Sequence, residues 1–393
     1  MSISNVGGEE ADYCTRICSD LRDIGPQRWN ALACAPGAAR PPAFLSFAFL
    51  DALARTGCVG RGTGWDPRHL TLWKGDRLCG AVPLYRKSHS YGEYVFDWAW
   101  ADAYQRHGLR YYPKLLAAIP FTPVGGPRLL AVDAPARAAL VAALLDHART
   151  SRMSSLHVLF PPPDEAQALA DAGMMVRRGV QFHWHNRDYR NFDDFLAALT
   201  QPKRKKIRAE RRRIAETGLR FERRIGTEIE GRHWAFFSDC YEATYVAHHS
   251  TPYLNRAFFQ AIGQNMPEHL VMILALDGAR PVAASLLVRD DDRLYGRYWG
   301  AVEAVPFLHF ETAYYRAIET AIELRIPIIE GGAQGEHKMA RGFLPQETVS
   351  CHWLAEPAFA DAVERFLQRE GGMIDGYLDE LTERSPLRPA DRG

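Results

Sequence analysis

The densest run of polar side chains in this sequence lies at residues 330–345, which read EGGAQGEHKMARGFLP. An apolar stretch at 326–329 precedes it, so we predict a buried strand that ends in an acid and two glycines. Imidazole, ammonium and guanidinium groups follow. Glycines let backbone come close to a ligand, and loops after strands commonly carry binding and catalytic residues. We predict a functional site in these residues, called here the polar segment. Spacing alone assigns no role to any one of them, and a charged surface loop is the alternative.

Glu311 is a second candidate because of its place in a helical pattern. The apolar positions 310, 314, 317, 318, 321 and 322 form one stripe at helical spacing. At about 100° per residue, Glu311 falls inside that stripe and His309 on the opposite side. A carboxylate that faces a core either pairs with a buried arginine or backbone N–H groups, or acts as a general base with a raised pKa. Both interpretations stay open.

Arg297 is the third candidate. Residues 294–300 read LYGRYWG and alternate as a strand, which puts Tyr295, Arg297 and Trp299 on one face. An arginine framed by aromatic rings is either a cation–π packing device or an anchor for a substrate carboxylate or phosphate.

Other familiar chemistries lack their motifs. The sequence has no Gly-x-Ser-x-Gly nucleophile elbow and no Walker phosphate loop. The glycines at 59–64 do not lead from a strand into a helix, so they fail as a dinucleotide-binding fingerprint. His183 and His185 share one strand face, but no nearby carboxylate or cysteine pattern completes a metal site. We therefore predict no metal and no tightly bound cofactor.

Length and composition indicate a globular chain of two domains. It has 393 residues with 47% hydrophobic content, which exceeds the usual size of one core. The N-terminus lacks a signal-peptide pattern, and no run of about 18 apolar residues predicts a membrane span. Seven cysteines without a Cys-x-x-Cys pair favour a reducing cytoplasm.

A repeated strand, turn and strand pattern indicates an internal duplication. An offset of 203 aligns the pattern at 69–86 with the one at 271–289, including Gly75 with Gly278. A helical stretch and a buried strand follow in each half. We predict an N-terminal domain at 1–190, a helical connector at 191–218 and a C-terminal domain at 219–393 that carries the main site.

The predicted connector contains a concentrated basic run. Residues 203–213 hold eight Lys or Arg against one acid, a local charge of +7, while the whole chain sums to +1. Pro202 opens a predicted helix that Gly218 closes, and Ile207, Arg211 and Ile214 are spaced for one face. The run is either a solvated, charge-rich surface or the binding surface of a polyanionic partner.

These segments resemble the FemAB-related N-acyltransferases, a branch of the GNAT superfamily, over residues 15–370. The similarity is most specific at 294–300, at Leu308 to Glu311, at Tyr314-Tyr315 and in the polar segment, and the basic run belongs to the same pattern. The resemblance implies a mixed α/β fold of two tandem GNAT-like domains, each a twisted, mostly antiparallel sheet flanked by helices. It also implies transfer of an acyl or aminoacyl group to an amine-bearing small molecule or peptide.

The resemblance leaves two donors open. Ordinary GNAT enzymes hold the CoA pyrophosphate with a Gln/Arg-x-x-Gly-x-Gly/Ala turn, and this sequence has no such motif. Aminoacyl-tRNA is therefore narrowly favoured over acyl-CoA. The third possibility is a catalytically silent GNAT-like scaffold that binds its ligand without turnover. Neither the acceptor nor the oligomeric state follows from the sequence.

Roles for individual residues follow from the resemblance and from the chemistry of acyl transfer. Glu311 or His337 is expected to act as general base, and Lys338 as the partner of the oxyanion or leaving group. Arg297 and Arg341 are expected to anchor an anionic substrate. Further substrate-binding residues are Trp299, His309, Tyr315, Gln334 and Glu336. The residues expected to meet tRNA phosphates are Lys203, Arg204, Lys205, Arg208, Arg211 and Arg212.

Overall fold

The computed structural model describes residues 4–6, 13–332 and 335–389. The helices are α1 (Pro26–Ala33), α2 (Phe47–Arg55), α3 (Trp98–Arg106), α4 (Ala134–Thr150), α5 (Pro163–Asp171), α6 (Phe192–Ala198), α7 (Gln201–Glu216), α8 (Gly231–Ala247), α9 (Arg256–Asn265), α10 (Leu308–Phe310), α11 (Arg316–Glu323) and α12 (Pro357–Glu383). The strands are β1 (Ser4–Val6), β2 (Tyr13–Cys18), β3 (Trp65–Pro67), β4 (His69–Lys74), β5 (Arg77–Val82), β6 (Leu84–Lys87), β7 (Lys114–Ala117), β8 (Leu130–Ala131), β9 (Ser155–Leu159), β10 (Met175–His185), β11 (Arg220–Ile225), β12 (Leu270–Asp277), β13 (Arg280–Arg289), β14 (Arg293–Ala301), β15 (Ile328–Glu330) and β16 (Leu344–Leu354). A π-helical turn, Glu311–Tyr315, joins α10 to α11, and a 3₁₀ turn, Glu336–Arg341, precedes β16.

The chain divides into two compact units. Unit 1 comprises residues 1–179 and 347–376, and unit 2 comprises residues 180–346 and 377–393. This division differs from the expected continuous halves, because residues 347–376 group with unit 1. The reason is strand pairing: β16 pairs antiparallel with β9 of that unit.

Unit 1 contains two groups of strands. One is antiparallel, in the order β1-β2-β4-β5-β8, and the other has the order β16-β9-β7-β6-β3. In the second group β7 and β9 are parallel, and α4 lies between them in the chain. Asp133 caps α4 by accepting from the backbone of Ala136. Leu140 and Leu144 of α4 pack with Leu72 and Leu156 in the core of this unit.

Unit 2 has one sheet in the order β11-β12-β13-β14-β15-β10. Neighbours are antiparallel except β14 and β15, which are parallel and are joined through α10, the π turn and α11. Ile318 and Ile322 of α11 pack with Ile273 and Leu287 in the core, so the predicted apolar stripe is buried. Gly300 of β14 lets α8 approach closely, because a Cβ there would lie 2.1 Å from a backbone oxygen of that helix.

The two hairpins predicted by the repeat are present, one in each unit. Gly75 and Gly278 occupy their turns with φ values of 57° and 59°. The register shifts between Leu72 and Trp73 in one hairpin and between Ala275 and Leu276 in the other. The offset of 203 relates these positions, so the bulge is repeated together with the turn. A parallel strand pair joined through a helical connection follows in each unit, which supports the duplication.

Residues of the predicted connector form α6 and α7, and both helices belong to unit 2. The Asn191 side chain caps α6, and Pro202 lies in the first turn of α7. Phe195 of α6 and Ile207 of α7 are fully buried in the core of unit 2. The basic run therefore lies on a helix that packs against the core of that unit.

The architecture is mixed α/β with mostly antiparallel sheets, as expected. Within the described residues, no helix is long and apolar enough to cross a membrane. All seven cysteines are free thiols.

Candidate active site

Two parallel strands of unit 2 separate at the end of β15. β14 and β15 pair only over residues 293–295 and 328–330, although β14 continues to Ala301. After Glu330 the chain passes through Gly331 and Gly332, and Gly332 has a φ of 86°. Among the described strands, none pairs with the later part of β14 on this side. The start of the polar segment therefore lies where the pairing of β14 with β15 ends.

Arg297 lies at a β-bulge in this later part of β14. Leu286 pairs with Tyr298 and Leu287 with Gly296, so Arg297 is the additional residue. The bulge interrupts the strict alternation that the sequence pattern predicted, because an additional residue re-aims the side chains around it.

The Arg297 guanidinium is 3% exposed and lies 5.5 Å from the centre of the Tyr295 ring. Its Nη2 is 3.6 Å from the Glu330 carboxylate, to which Arg293 donates at 2.9 Å. Burial raises the pKa of Glu330, although Arg297 and Arg293 both oppose that rise. Arg297 is thus both a cation–π partner and part of a buried ion-pair group.

Lys338 reaches the glycine pair from the 3₁₀ turn. Its side chain is buried, and its Nζ donates to the Gly332 carbonyl at 3.1 Å. A Cβ placed on Gly332 would lie 3.6 Å from Arg297 Nη1 and 4.0 Å from Lys338 Nζ. The two cations therefore flank the same glycine. Burial lowers the pKa of Lys338 to about 7, and the neighbouring Arg297 charge adds to that effect.

Aromatic and imidazole rings form a row beside Lys338. The ring centres of Trp299 and His309 are 4.8 Å apart, those of His309 and Tyr314 5.4 Å, and those of Tyr314 and His337 6.1 Å. His337 Nε2 lies 3.2 Å from the Tyr314 hydroxyl. Partial burial and the Lys338 charge lower the pKa of His337, and burial with nearby cations lowers that of His309 to about 4. Both imidazoles are therefore neutral at pH 7.

Arg341 is held by the protein itself. Its guanidinium is buried and donates to Glu210 of α7 at 3.1 and 3.2 Å. It also stacks 3.5 Å from the centre of the Phe310 ring and donates to the His337 carbonyl. The Tyr315 hydroxyl donates to the same Glu210 carboxylate. The expected substrate contacts of Arg341 and Tyr315 therefore compete with strong internal ones.

Glu311 is buried, as its position in the stripe predicted, and lies in an ion-pair group. Arg211 of α7 donates to both of its oxygens at 3.0 and 3.2 Å, and Arg316 lies 2.8 Å away. Both arginines also pair with Glu319. None of these partners belongs to the polar segment. This arrangement matches the structural interpretation of Glu311, because two arginine side chains hold its carboxylate in place.

Helix α7 presents most of its basic residues away from the core. Lys205, Arg208 and Arg212 are exposed, whereas Lys203 and Arg204 are half-buried. Among the described residues, the ion pair that Arg208 makes is a distant one with Asp193, at 3.8 Å. Arg211 differs from the others because its guanidinium holds Glu311.

The remaining expected site residues lie at the edges of this region. Glu336 is exposed and accepts from Tyr377 at 2.8 Å, while Gln334 lies outside the described residues. His183 Nε2 lies 3.2 Å from a Gln181 oxygen, and burial lowers its pKa to about 3. Within the described ranges, no group of three or more His, Cys, Asp or Glu residues is placed to hold a metal ion.

Two buried carboxylates of this region received no role from the sequence. Glu210 is the single acid in the basic run, three residues after Ile207 and four before Ile214. That spacing puts it inside the apolar stripe of α7, which was a usable signal for a buried ion pair. Glu330 ends a short strand, and its role depends on arginines from β14 that spacing along the chain does not reveal.

The helices and the mostly antiparallel sheets of the two units define a mixed α/β protein. The chain belongs to the FemAB-like family, whose description is peptidoglycan biosynthesis/recognition and whose model matches residues 20–389. The family and the fold support acyl transfer to an amine in general terms. A search of curated proteins gave no match.

Several solved structures resemble this chain at low sequence identity. FemX is 11% identical, with a TM-score of 0.53, over 86% of this chain and 98% of its own. A protein of unknown function from Bacteroides thetaiotaomicron is 12% identical, with a TM-score of 0.51, over 85% and 98%. A tandem GNAT protein from the clavulanic acid pathway is 12% identical, with a TM-score of 0.46, over 88% and 99%.

Proposed function

We propose that this protein is an N-acyltransferase that takes its acyl group from aminoacyl-tRNA. The observation that supports the proposal is that side chains of the basic helix α7 form ion pairs and hydrogen bonds with residues of the candidate site. Glu210 of α7 holds Arg341 and Tyr315, and Arg211 of α7 holds Glu311. The exposed cations of α7 therefore have a fixed position relative to the polar segment. A long polyanion bound along α7 would have its position set relative to the site.

The chemistry requires a neutral amine, a proton acceptor and a donor for the developing oxyanion. We assign proton acceptance to His337, because its imidazole is neutral and accessible whereas Glu311 is held by two arginines. Lys338 serves the oxyanion or the leaving group, and Arg297 anchors an anionic part of the substrate. Trp299 and His309 form a wall for the acceptor. Glu311 fixes the distance between α7 and α11.

An acyl-CoA donor is the second candidate, and one observation favours it. The part of β14 beyond residue 295 has a backbone edge without a strand partner among the described strands. An extended ligand with amide groups can pair with such an edge as an added strand does. The pantetheine arm of CoA has that chemistry.

Donor consumption tests the proposal directly. Purified protein is incubated with labelled aminoacyl-tRNA or labelled acyl-CoA and a panel of amines, and amide product is measured. We expect product from aminoacyl-tRNA and at least tenfold less from acyl-CoA. Product from acyl-CoA alone would establish the second candidate, and binding of either donor without product would indicate a silent scaffold.

A further inference from the structure

We propose that Arg297 and Lys338 form a binding site for one anionic group, a carboxylate or a phosphate, and that filling this site adds a proton to Lys338. The inference rests on the proposed function only in taking this anion to be part of the substrate. The binding site itself follows from the contacts of the two side chains.

Lys338 is buried beside a second cation, Arg297. Its side chain is buried, and the acceptor of its hydrogen bond is a backbone carbonyl. No carboxylate among the described residues lies within 4 Å of its Nζ, while the Arg297 guanidinium flanks the same glycine. A buried cation without an anionic partner loses its proton readily. Lys338 is therefore partly neutral at pH 7.

Charged and titratable groups surround Lys338 on several elements of unit 2. Arg297 faces it from β14, His183 from β10 and His309 from α10. His337 and Arg341 lie on its own turn, and Glu330 of β15 pairs with Arg297. The pKa values of all three histidines are lowered, so these rings stay neutral above pH 6.5. Among the basic groups of this set, Lys338 is thus the one whose pKa lies near neutral pH.

An anion bound between Arg297 and Lys338 changes the protonation of Lys338. A carboxylate or phosphate between the two side chains favours the charged form of Lys338 and raises its pKa. Binding then takes up a proton, so affinity is full below pH 7 and falls as the pH rises through about 7. Gly332 leaves space beside the two cations, because a Cβ on that residue would lie at ordinary contact distance, 3.6 Å from Arg297 Nη1 and 4.0 Å from Lys338 Nζ.

Sulfate and acetate are suitable probes, because neither changes charge between pH 6 and pH 8. Calorimetric titration in two buffers with different ionisation enthalpies measures both affinity and proton uptake. From the pKa of about 7, we expect uptake of about half a proton per anion at pH 7 and about tenfold weaker binding at pH 8 than at pH 6. Tighter binding of sulfate would identify a phosphate ligand, and tighter binding of acetate a carboxylate.

Two substitutions distinguish the contribution of the positive charge of Lys338 to anion binding from the contribution of its change in protonation. Lys338→Met should weaken binding at pH 6 by at least tenfold and remove the pH dependence, whereas Lys338→Arg should keep affinity but lose the proton uptake. The triple variant R220A/R223A/R232A serves as control and should retain both properties, because those exposed residues lie outside both α7 and the polar segment. Thermal melting confirms that each variant folds.

The inference is overturned if Lys338→Met retains the affinity and pH dependence of the wild type, or if neither anion binds the wild type. An acyl-transfer assay that fails while sulfate binding shows the expected proton uptake would overturn the proposed function alone.

Discussion

The guanidinium of Arg341 donates to both carboxylate oxygens of Glu210, at 3.1 and 3.2 Å, across 131 residues of sequence. This buried pair joins the 3₁₀ turn of the polar segment to the basic helix α7. We expect Glu210→Met and Arg341→Met each to lower the free energy of unfolding by about 3 kcal/mol or more, since each leaves a buried charge without its partner. The double variant should lose less than either single variant. Urea denaturation measures all three, and additive losses would show that the two residues are not coupled.

Glu311 and Lys338 should respond differently to substitution. Glu311→Gln weakens the ion pairs with Arg211 and Arg316, so we expect a loss of stability of about 1–3 kcal/mol. Turnover should fall less than about tenfold if His337 accepts the proton, as we propose. Lys338→Ala should lower kcat/KM by at least about a hundredfold, as expected for loss of an oxyanion or leaving-group partner. A hundredfold loss for Glu311→Gln with unchanged stability would restore Glu311 as the base.

Binding of tRNA should depend steeply on salt. If about four phosphates are engaged, the slope of log affinity against log salt should be about −3. The K205A/R208A/R212A variant should flatten it by about two to three and weaken binding with little sequence preference. The control R220A/R223A/R232A removes the same charge from exposed positions outside α7 and should keep the slope. Equal slopes for all three proteins would argue against α7 as the tRNA surface.

Unit 1 has a buried ion-pair group that centres on Lys114. Its Nζ donates to Glu93 at 2.8 Å and to Asp97, and none of the three side chains is more than 4% exposed. We expect Lys114→Met to lower the free energy of unfolding by about 3–5 kcal/mol, since two carboxylates lose a partner. Lys74→Met, at an exposed position, should cost less than about 0.5 kcal/mol. Equal effects of the two substitutions on the free energy of unfolding would show that the buried ion-pair group does not contribute to stability.

The same group predicts a pH dependence. Burial alone would raise the pKa of Asp97, but Lys114 and His157 hold it well below its ordinary value. A lowered pKa adds stability above the unfolded-state value, and that stability is lost as the pH falls below about 4. Unfolding of the wild type measured from pH 6 to pH 3 should show this loss. In Lys114→Met the loss of stability should be smaller. An identical pH profile would show that Lys114 does not lower the pKa of Asp97.

Turns, helix caps and the burial pattern of helices follow from the local amino-acid sequence. The turns at Gly75 and Gly278 require positive φ, which glycine adopts without strain, and Asn191 caps α6 through its own side chain. The burial of Glu311 followed from helical periodicity, and the exposure of Lys205 from its place on the opposite side of α7 from Ile207. Each of these features depends on neighbours a few residues away.

Tertiary structure decided which partners the same residues have. Periodicity places a carboxylate in a core whether it is a base or an ion-pair partner, and only the approach of α7 brought Arg211 to Glu311. The bulge at Arg297 arises from strand register and re-aims a side chain that simple alternation would place elsewhere. Lys338 and Arg297 flank one glycine because β14 and β15 separate there. Charges interact through space, so the protonation of Lys338 depends on residues distant in the chain, which local spacing does not specify.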